Sequence, residues 1–158
     1  SPIWDPMATG LFMGLTLYHK KAHLYRAVLE GIAFALNHNI ECGKAGARLL
    51  KNRLIVVGGA AKSPLWLQII ADVTGFPVWI IEEEVEAPLG DAGLAALAVG
   101  LIKDPAEIRQ WSHLKEVAQP VPKNHLHYQK IFDQYKDIYL NINVNMHALK
   151  SISDSINI

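Results

Sequence analysis

The chain has 158 residues, 51% of them apolar, and its 15 basic and 15 acidic side chains cancel to zero formal charge. That composition describes a globular domain with its own core; it argues against a disordered chain and, with no basic block, against a nucleic-acid partner. The single Cys42 excludes an internal disulfide and fits a reducing, cytoplasmic setting. No signal-peptide pattern opens the chain, and the small-residue run 87–102 is short for a membrane span and carries Asp91, so no membrane is expected. The seven His are scattered, and no Cys or carboxylate cluster accompanies His125 and His127, so no metal site is expected.

In chain order, residues 1–10 read as a loop with no initiator Met, as in the C-terminal part of a longer protein. Residues 11–17 predict a strand interrupted by Gly14. A long helix comes next over about residues 20–47, with Tyr25, Val28, Leu29, Ile32, Leu36 and Ile40 on one stripe. Residues 54–57 form a continuous apolar run, as in a strand covered on both faces. Ser63 is a good N-cap and Pro64 suits a first helical position; Gly75 and Pro77 mark the end of that helix near Thr74. Residues 78–81 predict the next buried strand, which makes a parallel βαβ unit.

Beyond it come a loop at 82–88, a helix of small residues from about Pro88, and a short helix from Asp104-Pro105 to about Trp111. An edge strand is expected over 115–121. The final helix carries Tyr128, Ile131, Phe132, Tyr135, Ile138, Tyr139 and Ile142 on one stripe. Residues 143–158, rich in Asn and Ser, read as a weakly ordered tail to a domain of residues 1–142.

The chemistry concentrates at Gly58-Gly59-Ala60-Ala61-Lys62-Ser63. The glycines can take positive φ and have no Cβ to hold a ligand away. A helix N-terminus behind them favours an anion, so a phosphate or nucleotide is one reading. A sharp strand-to-helix connection with no ligand is the other. A parallel βαβ unit brings this turn and the loop at 82–88 to one sheet edge, where open α/β sheets bind ligands.

Several motifs in order carry a family resemblance. Gly10-x-Phe12-x-Gly14-Leu15 with His23-Leu24-x-x-Ala27-Val28-Leu29-Glu30, led into by Pro2-Ile-Trp4-Asp5-Pro6, resembles the second signature of the FGGY carbohydrate kinases. The turn from Gly58 to Trp66 is similar to that family's adenosine-binding turn. Residues 70–78 and 86–92 resemble the two family segments that come next in order. The resemblance covers roughly residues 1–120.

It implies an actin-like ATPase (ribonuclease-H-like) domain, a mixed sheet flanked by helices and partial without its upstream strands. The implied function is the ATP-binding C-terminal lobe of an enzyme that moves the γ-phosphate of ATP, with Mg2+, to a sugar or polyol hydroxyl. A ketopentose such as xylulose is the default substrate, and a homodimer is left open. The family's general base and its Asp-x-Gly-Thr phosphate turn have no counterpart here, so the resemblance implies no catalytic residue in this chain and no activity from it alone. Carried over to this sequence, nucleotide contacts fall on Gly58, Gly59, Ala60, Lys62, Ser63 and Gly90.

Two departures stand out. Ala60 replaces a third glycine, and Ser63 stands where the glycerol kinase branch has Asn. For individual residues a plainer role stands beside the binding one: Ser63 as N-cap, Lys62 as a solvated cation, Trp66 as core packing, Asp91 as a complement to a helix dipole. Glu30 reads as a structural hydrogen-bond acceptor, and Glu82, Glu83 and Glu84 as a solvated run. Two alternatives stay open on the sequence. One is an NAD(P)-binding Rossmann-type domain of an oxidoreductase, on the glycine turn and Glu82 after the next strand. The other is a non-catalytic actin-like nucleotide-binding module.

Overall fold

The computed structural model describes residues 2–44, 46, 51–82 and 86–156, with the side chains of 86 and 87 left aside. They fall into two compact units, Ser1–Leu50 with Pro122–Ile158, and Lys51–Val121.

The second unit holds the sheet. Strands β1 (Leu54–Val56) and β2 (Val78–Ile81) pair in parallel, and β3 (Leu114–Ala118) pairs antiparallel on the other side of β2, giving the order β1-β2-β3. The sheet is therefore mixed, as expected. β3 is an edge strand, three residues shorter at its C-terminal end than the expected 115–121 and one longer at its start. β1 and β2 are joined by helix α2 (Pro64–Thr74), whose bounds are those its sequence announces. Pro64 occupies the first turn, and the Ser63 hydroxyl accepts from the Trp66 N–H at 3.4 Å. Gly75 closes the helix in the left-handed region at φ 73°, its N–H donating to the Ala71 carbonyl. This is where a residue without Cβ is least strained.

α2 lies against β2 and β3. Leu67, Ile69, Ile70, Ala71 and Val73 from α2, with Val78 from β2, make the core of this unit. β1 is covered less than its apolar run implied: Ile55 remains 47% exposed. It is the strand at the other end of the sheet from β3, and its pairing satisfies only one edge.

Helix α3 (Glu86–Ala98) starts two residues before the expected Pro88. Its small residues do allow close approach, and the partner is the 3-10 helix Pro105–Trp111: a Cβ on Gly93 would stand 2.7 Å from Ile108 Cδ1. That 3-10 helix is fixed by a capping box, Asp104 accepting from Ala106 N–H and Glu107 from Asp104 N–H. The buried Asp72 carboxylate ties the exit from β3 to α2. Its Oδ1 accepts from the Val121 N–H at 2.8 Å and from Gln68 Nε2 at 3.0 Å.

The first unit is built on two helices, α1 (Lys21–Lys44) and α4 (Pro122–Ile156). They meet through aromatic rings: Phe34 of α1 lies 5.5–6.0 Å, centroid to centroid, from Tyr128, Phe132 and Tyr135 of α4. The buried face of α1 is Leu29, Ala33, Phe34 and Asn37. The stripe expected from periodicity shares Leu29 with it, but Tyr25, Val28 and Ile32 are exposed. α1 is apolar on two sides, so spacing alone does not choose between them; the rings of α4 do.

Residues 11–17 do not form a strand. A strand is defined by the neighbour it bonds to, and no described strand pairs with this segment. Gly14 bends it at φ 80°, and Leu11, Phe12, Met13, Leu15 and Leu17 are exposed. α4, by contrast, continues past residue 142 through the stretch whose composition suggests a weakly ordered tail. The Lys150–Asp154 pair, four residues apart, is of the spacing that supports a helix there, while Asn141 Nδ2 and Ser151 Oγ bond back to the carbonyls of Asp137 and His147.

Candidate functional site

The glycine turn has the backbone its sequence implied. After β1 the chain leaves extended geometry at Val57 (φ −127°, ψ 165°) and enters a 3-10 helix, Gly58–Lys62, which runs into the Ser63 cap of α2. Gly58 holds φ 72°, a conformation that costs an L side chain roughly 1–2 kcal/mol. Gly59 is not in that region, and a Cβ on either glycine would meet no atom within 4 Å. The space beside both is open, and backbone there is accessible to a ligand. Ala60 is half-buried, while Gly58, Gly59 and Lys62 are exposed.

Two of the weighed roles now have geometry. Ser63 caps α2, so its hydroxyl already has a local partner. Trp66 Nε1 is buried and, among the described residues, lacks a hydrogen-bond partner, so the indole edge is turned into protein rather than presented to solvent. An unpaired buried donor costs on the order of 1–3 kcal/mol, which is tolerable only where packing of the ring offsets it.

The parallel β1–β2 register, Val56 opposite Ile80, brings the exits of both strands to the same sheet edge. Glu82 comes directly after β2; its N–H donates to the His113 carbonyl and its carboxylate lies 3.5 Å from Lys115 Nζ. Glu83 and Glu84 lie outside the described residues. Gly90 is exposed but sits in the second turn of α3, not at its start. Its N–H belongs to the helical ladder, so Gly90 can offer a ligand room rather than a donor. Asp91 is likewise past the first turn of α3, where the dipole no longer acts on it.

In the first unit the expected role of Glu30 is realised. Its Oε1 accepts from Arg26 Nε and from the Tyr128 hydroxyl, both at 2.7 Å, and Arg26 Nη2 donates to the Tyr128 oxygen at 2.8 Å. Burial, helped by the Glu30 carboxylate, pushes the Tyr128 phenol up to about 12. Bonding to Tyr128 and then Glu30 raises Arg26 further above its ordinary value. These three groups line a shallow cavity of about 330 Å³ with Asn124, His127 and Ile131. Because Arg26, Glu30 and Tyr128 satisfy one another, the cavity reads as the mouth of a structural tie between α1 and α4.

Sequence reasoning did not anticipate Tyr128 as the partner of Glu30, nor Tyr139 and His147 as partners of Asp5. Contacts across 98, 134 and 142 residues leave no local pattern to find. Among the described residues no group of three or more His, Cys, Asp or Glu gathers as a metal site, and no helix is long and apolar enough to cross a membrane.

Comparison with known proteins agrees with the motif order. Residues 1–99 match the C-terminal domain of the FGGY family of carbohydrate kinases. A xylulose kinase of Lactococcus lactis subsp. lactis is 32% identical over 156 residues, 98% of this chain and 31% of that protein. A glycerol kinase of Citrifermentans bemidjiense is 40% identical over 112 residues, 71% of this chain and 23% of the relative. Among solved structures, a ligand-bound xylulose kinase from Lactobacillus acidophilus superposes with TM-score 0.79 at 32% identity, covering 94% of this chain and 30% of that one. A gluconate kinase from the same organism gives 0.74 at 33%, covering 90% and 29%.

The chain thus spans just under a third of the xylulose kinase it matches. The fold is the actin-like ATPase fold of these neighbours, and nothing in the comparisons supports a dinucleotide-binding oxidoreductase. The chain belongs to the FGGY family of carbohydrate kinases, matching its C-terminal domain.

Proposed function

We propose that this chain is the adenine-nucleotide-binding lobe of an ATP-dependent carbohydrate kinase, with residues 1–142 as the nucleotide-binding domain. The observation that carries the proposal is the Gly58–Gly59 turn: a positive-φ glycine one residue beyond a parallel strand, with open space where two side chains would stand. In this reading the open backbone of Gly58, Gly59 and Ala60 receives the phosphates or ribose. Lys62 adds a mobile positive charge within the same turn, and Ser63 holds α2 in place behind it. Gly90 supplies clearance from the neighbouring strand exit.

Phosphoryl transfer asks a protein chiefly for positioning and charge stabilisation. In this reading the chain fixes the nucleotide, and a companion N-terminal domain holds the sugar or polyol and the general base. Closure of the two then excludes water. The chain's own carboxylates do not gather into a cation cage among the described residues. Mg2+ would come with the nucleotide's phosphates, where it neutralises developing charge. The acceptor is a ketopentose such as xylulose, supported by the names of several relatives and by the coverage of the Lactococcus lactis enzyme over almost the whole chain. The protein works in the cytoplasm, as a monomer or a homodimer, without a nucleic-acid or membrane partner.

Calorimetric titration of the chain with Mg-ADP and, separately, with NAD tests this reading. Saturable heat with ADP and none with NAD is the expected result. Binding of NAD without ADP would overturn it.

A further inference from the structure

Residues 2–10 are mostly exposed: Trp4 is 91% exposed and Ile3 38%, and only Asp5 and Met7 are half-buried. The side-chain hydrogen bonds of this stretch converge on one carboxylate.

The Tyr139 hydroxyl donates to Asp5 Oδ2 at 2.7 Å. His147, further along the same helix, places Nε2 2.7 Å from that same oxygen. An ionised carboxylate only accepts, so Nε2 carries the proton whether the ring is neutral or charged. The other carboxylate oxygen, Oδ1, accepts from the Met7 N–H at 2.9 Å, and the Ala8 N–H closes the turn on the Asp5 carbonyl at 3.2 Å. Asp5 is 11% exposed while His147 is 44% exposed, so the acceptor is sheltered and one donor reaches it from the rim. Hydrogen bonds to an ionised acceptor are the stronger kind.

We propose that Asp5, Tyr139 and His147 form a latch that fastens the segment of residues 2–10 to the far half of α4. The last turns of α4 then act as its keeper. The segment leads directly into Gly10-x-Phe12-x-Gly14-Leu15, so the latch also fixes where that signature begins. The groups facing Asp5 are the two donors on α4 and the backbone of its own turn. Opening it by pH requires protonating Asp5 itself.

Hydrogen–deuterium exchange on the 158-residue chain and on Asp5→Asn, Tyr139→Phe and His147→Ala tests the latch. Each substitution should speed exchange at Met7 and Ala8 by about tenfold, the loss of one charged hydrogen bond, and leave β2 protected. Lys136→Ala breaks the Lys136–Glu41 contact elsewhere on α4 and should leave residues 2–10 unchanged. The proposal is overturned if none of the three substitutions changes exchange in residues 2–10. It is also overturned if β2 loosens equally, or if Lys136→Ala has the same effect as the three.

Discussion

The two units differ in what holds them. In the unit from Lys51 to Val121 a mixed sheet and α2 make an aliphatic core, in which Ile69, Val73 and Val78 are essentially without solvent contact. In the unit from Ser1 to Leu50 with Pro122 to Ile158, two helices meet through rings, and two sheltered carboxylates, Glu30 and Asp5, tie distant segments together. The lesson is one of range. The ties of the first unit reach about fifty residues along the chain, those of the second about a hundred or more, and the shorter range leaves more to be read locally.

The sharpest way to break that contrast is to empty each core in turn. Phe132→Ala removes the ring stacked on Phe34 and should cost about 3–5 kcal/mol in urea unfolding, among the largest effects expected here. Ile69→Ala should cost about 2–5 kcal/mol. If the units owe their stability to separate cores, exchange should rise first around the substituted residue in each case. Equal loosening everywhere after either substitution would contradict the division.

Two turn positions sharpen the comparison further. Gly58→Ala forces an L side chain into φ 72° and should lower stability by about 1–2 kcal/mol. Ser63→Ala should cost about 1 kcal/mol, and less if the 3.4 Å cap bond is as weak as its length implies. Both are measured by thermal or urea melts, and the larger loss should come at Gly58.

The smallest effect is one of pH. Asp5 is held down at about 2 by its bonds from His147 and Tyr139, against an ordinary value of 3.8. A carboxyl depressed in the folded state contributes stability that is complete above about pH 4 and is lost as pH falls toward 2. Acid titration monitored by exchange at residues 2–10 should show that loss, and His147→Ala should move its onset to higher pH. The Tyr139 phenol, raised by the same Asp5 contact, should titrate later than a free tyrosine.

How much of the fold is legible in the sequence divides along the same line. α2 is readable to the residue because its signals are local: Ser63 and Pro64 at one end, Gly75 and Pro77 at the other. The short helix opening at Asp104 and the parallel β1–β2 pair are readable for the same reason. Residues 11–17 are not, because a run of apolar residues permits a strand but does not say that a neighbour is present. The covered face of α1 is not, because Tyr25, Val28 and Ile32 are as apolar as the side that meets α4. The end of α4 escapes because Asn-rich composition argues against a helix, whereas the Lys150–Asp154 pair and the Asp5 contact support one. At the candidate site, the Gly58 bend and the Ser63 cap are legible, while the place of Gly90 depends on where α3 begins.

One measurement bears most directly on the nucleotide turn. Gly59 can accept a methyl group without meeting any atom within 4 Å, so Gly59→Ala should leave the melting curve unchanged. If the turn's bare backbone is what receives the nucleotide, the same substitution should weaken Mg-ADP binding about tenfold or more by calorimetry, as a methyl group displaces the ligand from its amides. Unchanged ADP affinity in a fully folded Gly59→Ala chain would contradict the assignment of the site to this turn.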